Sequence, residues 1–212
     1  MQKKKIEQAY KLLKNCGICP RNCGVNRLEG EIGFCGMDAE VMISSFGPHF
    51  GEEDVLAGRG GSGTIFLAGC NLKCMFCQNY DISHLNSGRR ISMNEFVNTM
   101  LSLEKIGCHN INFVTPTHFT PQIMKAIYLA REKGLCVPIV YNCGGYELVE
   151  TIKLLEGFIE IYMPDIKYAD LETAKELSNA PNYPDVAVKA VAEMHRQVGD
   201  LIIDEEGIAQ KG

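Results

Sequence analysis

From Thr64 to Met163 the sequence repeats one rhythm, a short apolar run followed by a longer amphipathic stretch. The apolar runs are "TIFLAG" (64–69), "NINFV" (110–114), "VPIVY" (137–141) and "FIEIYM" (158–163). Helical patterns lie between them. The first covers 93–106; Ser92 with Glu95 forms a capping-box spacing, and Gly107 is the stop. The second opens at Thr120–Pro121 and closes at Gly134, and the third runs 146–156 up to Gly157. Strands of this length alternating with helices predict βαβ units, and therefore an α/β fold built on a parallel sheet. Helices near 170–178 and 184–198 and a hairpin at 201–210 complete the pattern. A closed eight-unit barrel takes about 250 residues. With 212 residues and four clear strands, the expected architecture is an open sheet or partial (βα) barrel of parallel strands.

The segment before this rhythm has a different character. A short amphipathic helix is expected over 4–14, carrying Ile6, Ala9, Tyr10 and Leu13. Then comes "CGICPRNCGVNRLEGEIGFCG" (16–36), rich in Gly and Cys and without periodicity. It reads as a metal-folded appendage. A strand is expected at 41–46 and a loop at "GRGGSG" (58–63), which precedes its strand and lacks the Gly-Lys-Ser/Thr ending of a phosphate-binding loop. The expected divisions are 1–40, the four-Cys appendage; 41–63, a linking segment; and 64–212, the partial βα barrel.

Composition narrows the function. The chain carries 21 Lys and Arg against 26 Asp and Glu, a net charge of −5 and a pI near 5.6, which argues against a nucleic-acid binder. No run approaches the roughly 18 to 20 apolar residues of a membrane span, and the polar start is not a signal peptide. A cytoplasmic location is therefore expected. Ten cysteines in a reducing compartment point to metal binding or redox chemistry rather than to disulfides.

Seven of the ten fall into two groups. Cys70, Cys74 and Cys77 read C-x3-C-x2-C directly after the first strand, at the strand end where parallel α/β folds bind ligands. A zinc site would want a fourth ligand, and catalytic zinc sites usually include His. A cubane iron–sulfur cluster normally takes four thiolates, so three leave one iron open to a substrate or cosubstrate. Cys16, Cys19, Cys23 and Cys35 supply four thiolates, enough for a closed zinc site or a second cluster, and spacing alone does not choose. With so little apolar content, metal binding would have to supply that segment's folding energy.

The three-cysteine motif, with Phe76 just before its last cysteine, resembles the radical SAM superfamily. "GCNLKCMFCQN" followed by a four-strand βα series is similar to the activating enzymes of glycyl radical enzymes, the homologues of pyruvate formate-lyase activating enzyme. The resemblance covers about 60–200. It implies a [4Fe–4S] cluster on Cys70, Cys74 and Cys77, its open iron chelated by S-adenosylmethionine, and one-electron cleavage of the cosubstrate to a 5′-deoxyadenosyl radical that abstracts a hydrogen atom. It implies a low-potential electron donor, flavodoxin or ferredoxin, and a glycyl radical enzyme as partner.

Site residues follow by position. Phe76 matches the aromatic near the adenine. "FVTPTHFTP" (113–121) stands where the family has its Gly-Gly-Glu motif, with Pro116, Thr117 and His118 in its place, which makes Thr117 and His118 expected cosubstrate contacts. "YNCGG" (141–145) resembles the family's Asp-Thr-Asn-Gly stretch, with Asn142 for the Asp. "YMPDIKY" (162–168) resembles the Asp-Leu-Lys stretch, so Asp165 would help hold a monovalent cation and Lys167 would lie near the cosubstrate; the plainer alternative is an ordinary salt bridge. The family continues with a further strand beyond the position of Gly212, so the resemblance is to a shortened member.

Weaker features are weighed separately. His49, Glu52, Glu53 and Asp54 lie in "GPHFGEED", which could line a substrate entrance or hold a second metal, a polar surface loop being the plainer reading. Cys108 and Cys136 precede strands and read as packing residues, Cys143 as a small packed side chain near the site. No Ser/His/Asp or paired-carboxylate constellation is evident. Two other readings stay open: a radical SAM enzyme acting on a small molecule or another protein, and a non-catalytic two-cluster electron-transfer protein that would not cleave S-adenosylmethionine.

Overall fold

The structure is a computed structural model that describes residues 1–212. Helix α1 (Gln2–Lys11) leads into an irregular stretch with one 3-10 turn, and strand β1 (Met42–His49) and the short helix α2 (Asp54–Ala57) follow. The βα series then begins: β2 (Ser62–Leu67), α3 (Tyr80–Ser83), β3 (Arg89–Arg90), α4 (Met93–Lys105), β4 (Ile111–Val114), α5 (Thr120–Glu132), β5 (Ile139–Cys143), α6 (Val149–Leu155) and β6 (Ile161–Pro164). Helices α7 (Leu171–Ser178) and α8 (Tyr183–Val198) precede a small hairpin of β7 (Ile202–Ile203) and β8 (Ala209–Lys211). No helix is long and apolar enough to cross a membrane.

Six strands form one sheet in the order β3-β1-β2-β4-β5-β6. β2, β4, β5 and β6 run parallel, while β1 and β3 extend the sheet antiparallel at one side. This is an α/β fold with a mostly parallel central sheet, and the sheet is open, with β3 and β6 at its edges. The strand expected at 41–46 is β1; that it and β3 join the sheet antiparallel is a finding beyond the sequence pattern. At the β6 edge, Tyr162 N donates to Gly212 O (2.8 Å) and Gly212 N to Glu160 O (3.1 Å), which brings the residue after β8 alongside β6.

The two faces of the sheet differ. One is buried under α1, α4, α5, α6 and α8. Its core joins Ile65, Leu67, Ile111, Phe113, Ile139 and Tyr141 from the strands to Phe96, Met100, Ile123, Ile127, Ile152 and Met194 from the helices. The α4 entry is built as its sequence predicts: Ser92 Oγ accepts from Glu95 N while Glu95 reaches back to Ser92 N. On the other face Val140 and Ile161 pack against Leu56 of α2 and Ala209 of β8, so the base of that face is closed. Toward the C-terminal ends of the strands it is open.

Residues before the expected boundary at 40 hold a small cluster of their own, Cys16, Ile18 and Cys19 with Leu12 and Val25, and also join the main core. Ala9, Cys35 and Met37 belong to the same core as the sheet, and Thr151 of α6 donates to Ile18 O (2.8 Å). The cysteine-rich stretch is pressed against the βα unit rather than standing off it.

Candidate active site

One row of side chains crosses the open face of the sheet. Phe66 lies opposite Val114, Val114 opposite Asn142 and Asn142 opposite Met163. All four line a cavity of about 650 Å³ at the C-terminal ends of the parallel strands. Cys70, Cys74, Cys77 and Phe76 line it from the loop after β2, Asp165 and Lys167 from the loop after β6, and His49, Glu52 and Glu53 from the end of β1 and the segment after it. Of the family-derived residues, Phe76, Asn142, Asp165 and Lys167 thus gather around the three cysteines. Within "GPHFGEED", read more plainly as a surface loop, His49, Gly51, Glu52 and Glu53 line the wall.

Two of the three thiols accept hydrogen bonds. Leu72 N (3.3 Å) and Lys73 N (3.4 Å) donate to Cys70 Sγ, and Ser83 Oγ donates to Cys77 Sγ (3.2 Å). Such donors stabilise negative sulfur, and hydrogen bonding to the sulfurs is one of the levers that set cluster potentials. Burial pushes the Cys70 thiol up to about 11, and the neighbouring Cys74 and Cys77 add to the rise. A bound cation or cluster reverses that logic by deprotonating a coordinating thiol. No three Cys, His or carboxylate groups in the chain close to the spacing of ligands around a single ion. The donor set at the cavity is three sulfurs with no His, the chemistry of an iron–sulfur cluster that leaves one iron open rather than of a catalytic zinc site.

Thr117 and His118 lie elsewhere. They sit in a buried 3-10 turn and do not line the cavity. His118 is bonded through Nε2 to Ala68 O (2.7 Å), its Nδ1 has no partner, and its carbonyl accepts from Arg27 Nη1. Burial, with Arg27 nearby, lowers its pKa to about 3, so the ring is neutral. Thr117 Oγ1 donates to the buried Glu147. The turn carries both side chains into the core, away from the cavity where cosubstrate contacts were expected. The residue of this stretch that does face the cavity is Thr115, held at φ 59° with its N–H on Asn142 O (2.9 Å). A β-branched residue with positive φ is a conformational outlier of the kind that clusters at functional sites. Its sequence signal was faint: the residue before a proline is pushed out of the helical region.

Glu147 was not legible as special. It is fully buried beneath the site, accepting from Thr117 and Tyr141 and touching the Cys143 thiol, and burial raises its pKa from the ordinary 4.5 to about 8. Tyr141 and Cys143, raised well above their usual values by burial, stay neutral around it. Below pH 4.5 both folded and unfolded chains hold this proton. Between 4.5 and 8 only the folded chain does, so stability should fall as pH rises through that window, by on the order of 1 kcal/mol per pH unit. Glu147→Gln should flatten the slope; urea unfolding at pH 5 and pH 8 measures it, and an unchanged slope would refute the assignment.

The second cysteine group abuts the first. Gly69, immediately before Cys70, packs on the Cys35 carbonyl so closely that a Cβ there would stand 2.6 Å from its oxygen. Cys16, Cys19 and Cys35 are buried, Cys23 is half-buried, and none forms a disulfide. Beside Cys35 lies Arg27, 1% exposed, whose side-chain hydrogen bonds all end on backbone carbonyls: Asp38 O twice and His118 O once. Burial raises the Cys35 thiol while Arg27 pulls against it.

The model of the Radical SAM superfamily matches residues 64–203. The uncharacterized protein MJ0674 of Methanocaldococcus jannaschii is 37% identical over 191 residues, 86% of this chain and 54% of that protein. The uncharacterized protein MJ0808 of the same organism is 26% identical over 159 residues, 66% of this chain and 46% of that protein. The chain thus spans about half the length of the curated relatives it matches. No solved structure matches it significantly.

Proposed function

The chain belongs to the radical SAM superfamily, and from that premise we propose that it cleaves S-adenosylmethionine reductively and passes the radical to a protein substrate by hydrogen-atom abstraction, in the manner of an activating enzyme of a glycyl radical enzyme. The carrying observation is the single cavity that gathers Cys70, Cys74 and Cys77 with Phe76, Asn142, Asp165 and Lys167 at the strand ends. When bound, a [4Fe–4S] cluster and S-adenosylmethionine supply one-electron chemistry and a 5′-deoxyadenosyl radical. The chain's own residues hold and orient them. Cys70, Cys74 and Cys77 would hold the cluster. Phe76, 55% exposed and packed edge-on to Tyr168 with centroids 5.9 Å apart, offers an apolar ring edge to the adenine. Asn142 presents an amide from the cavity floor, and Thr115 turns backbone toward it. Asp165 and Lys167, paired at 2.5 Å, place one anion and one cation at the wall, matched to a cosubstrate that carries both signs.

A protein substrate is supported by the rim. Met75, Phe76 and Tyr80 on the cysteine-loop side and Ile166, between the cavity-lining Asp165 and Lys167, are exposed apolar side chains that a polypeptide could cover. The electron source in this proposal is a flavodoxin or ferredoxin, and the setting a reducing cytoplasm, where ten free thiols persist. We assign a second metal, zinc or a further cluster, to Cys16, Cys19, Cys23 and Cys35. Four thiolates around either carry a net charge of about −2, and the buried, otherwise unpaired Arg27 is a fitting counter-charge.

The test is anaerobic reconstitution with iron and sulfide, then dithionite and S-adenosylmethionine. Formation of 5′-deoxyadenosine is expected. Its absence from protein carrying about four irons per chain would sink the catalytic reading. Iron near eight would assign the second group to a cluster, and iron near four with bound zinc would assign it to zinc.

A further inference from the structure

The two cysteine groups are joined by one side chain. Arg21 stands between Cys19 and Cys23. Its Nε donates to Asn71 O (2.8 Å), its Nη2 to Leu72 O (3.2 Å) and Ser178 O (2.7 Å), and its Nη1 to Asn179 O. Asn71 and Leu72 lie between Cys70 and Cys74. Ser178 and Asn179 end α7, and Leu177 O of the same helix end accepts from Met75 N (2.9 Å), between Cys74 and Cys77. The cysteine loop is thus pinned on both sides of Cys74 to one anchor, with the guanidinium at its centre. Phe34, next to Cys35, lies 3.8 Å from the guanidinium carbon, and Tyr146 lies 5.2 Å away on the other loop. Asn71 Nδ2 in turn donates to Tyr146 O (2.7 Å).

This geometry needs arginine. A planar fork of five N–H groups reaches carbonyls on two segments at once, and a lysine ammonium on a flexible stem does not. The carbonyls at the end of α7 carry partial negative charge, which suits a cation. The position of Arg21 is itself set by the cysteines flanking it in sequence and by Phe34 beside Cys35, so whatever orders that group orders the fork.

We propose that Arg21 is a positioning residue, through which the metal-bound state of Cys16, Cys19, Cys23 and Cys35 pre-sets the Cys70–Cys77 loop to hold its cluster. The proposal rests on the reading of both groups as metal sites. A loop already held in its bound shape has less conformational freedom to lose when it captures a ligand. Because linkage is reciprocal, filling either site strengthens the other.

The experiment uses holoprotein reconstituted anaerobically. The readouts are the decay of the S-adenosylmethionine-responsive electron paramagnetic resonance signal under a ferrous chelator and the shape of that signal. Wild type is compared with Arg21→Ala, Arg21→Lys, Cys23→Ser and the pair Cys23→Ser with Arg21→Ala. Arg21→Ala should lose the signal about tenfold faster, on the order of one charge-assisted hydrogen bond, with metal at the N-terminal group retained. Arg21→Lys should fall between. Cys23→Ser should match Arg21→Ala, and the pair should decay no faster than either alone, because both act through one link. If Arg21→Ala folds poorly, Arg21→Lys and Arg21→Gln carry the same comparison. Wild-type decay and line shape in the Arg21 variants, or additive effects in the pair, would overturn the proposal alone. A wild-type chain with no S-adenosylmethionine-responsive signal would overturn the reading of the site and this proposal with it.

Discussion

Cys74→Ala protein, reconstituted in the same way, is expected to retain its fold and to lose S-adenosylmethionine cleavage by more than about 100-fold. Losing even an outer-shell partner of a metal ligand typically costs 10- to 100-fold, and Cys74 is assigned to the ligand set itself. With three protein thiolates and one open iron, removing one thiolate leaves two, too few to hold a four-iron cluster. Cys74 is the buried member of the three and sits between the two pins of its loop, Arg21 and the end of α7. The substitution trims a sulfur without inserting bulk, so the sheet should survive it. Cys136→Ala, at an exposed position ahead of β5, is the control and should behave as wild type. Iron content, circular dichroism and 5′-deoxyadenosine yield on the three proteins decide the matter. A Cys74→Ala protein with full iron and full cleavage would remove this loop from the chemistry.

The site was legible where it is carried by short motifs on strand ends. C-x3-C-x2-C follows β2, Asn142 falls within β5 and Asp165 just past β6, and register then brings them to one cavity. It was illegible where local chain geometry decides which way a residue faces. "TPTH" names four polar or rigid positions, but a 3-10 turn after Pro116 carries Thr117 and His118 inward and leaves only Thr115 at the cavity. Glu147 gave no signal at all, since nothing in "GGYEL" says that this carboxyl is sealed beneath the floor.

The same division holds for the fold. The Ser92–Glu95 capping box, the Thr120–Pro121 start and the glycine stops are local, and the helices they bound appear within a few residues of the expected limits. The antiparallel partnership of β1 with β2 is non-local. So is the seating of the cysteine-rich stretch on the β2 end, which depends on Gly69 having no side chain to strike the Cys35 carbonyl. Sequence periodicity carries which residues are apolar on one element; it does not carry which other element they meet.

Arg27→Ala is expected to cost about 3–5 kcal/mol in the metal-loaded protein, the range for stripping one partner from a buried ionic arrangement. Two effects oppose each other. Removing a buried guanidinium relieves its own desolvation penalty, which favours the variant. Against this, the carbonyls of Asp38 and His118 lose their donors in a site where water does not replace them, and the side chain leaves a void. With the proposed metal bound to Cys16, Cys19, Cys23 and Cys35, the variant would also leave a metal–thiolate anion of net charge about −2 uncompensated, and loss should win clearly. Arg27→Met separates the contributions by keeping much of the volume while deleting charge and donors. Unfolding by urea should place Arg27→Met close to Arg27→Ala when metal is bound. After chelation the gap between either variant and wild type should narrow, because the arginine in the stripped protein is then a buried cation without a counter-charge. A gap that stays the same after chelation would deny Arg27 its role as counter-charge and reduce it to a donor for two carbonyls.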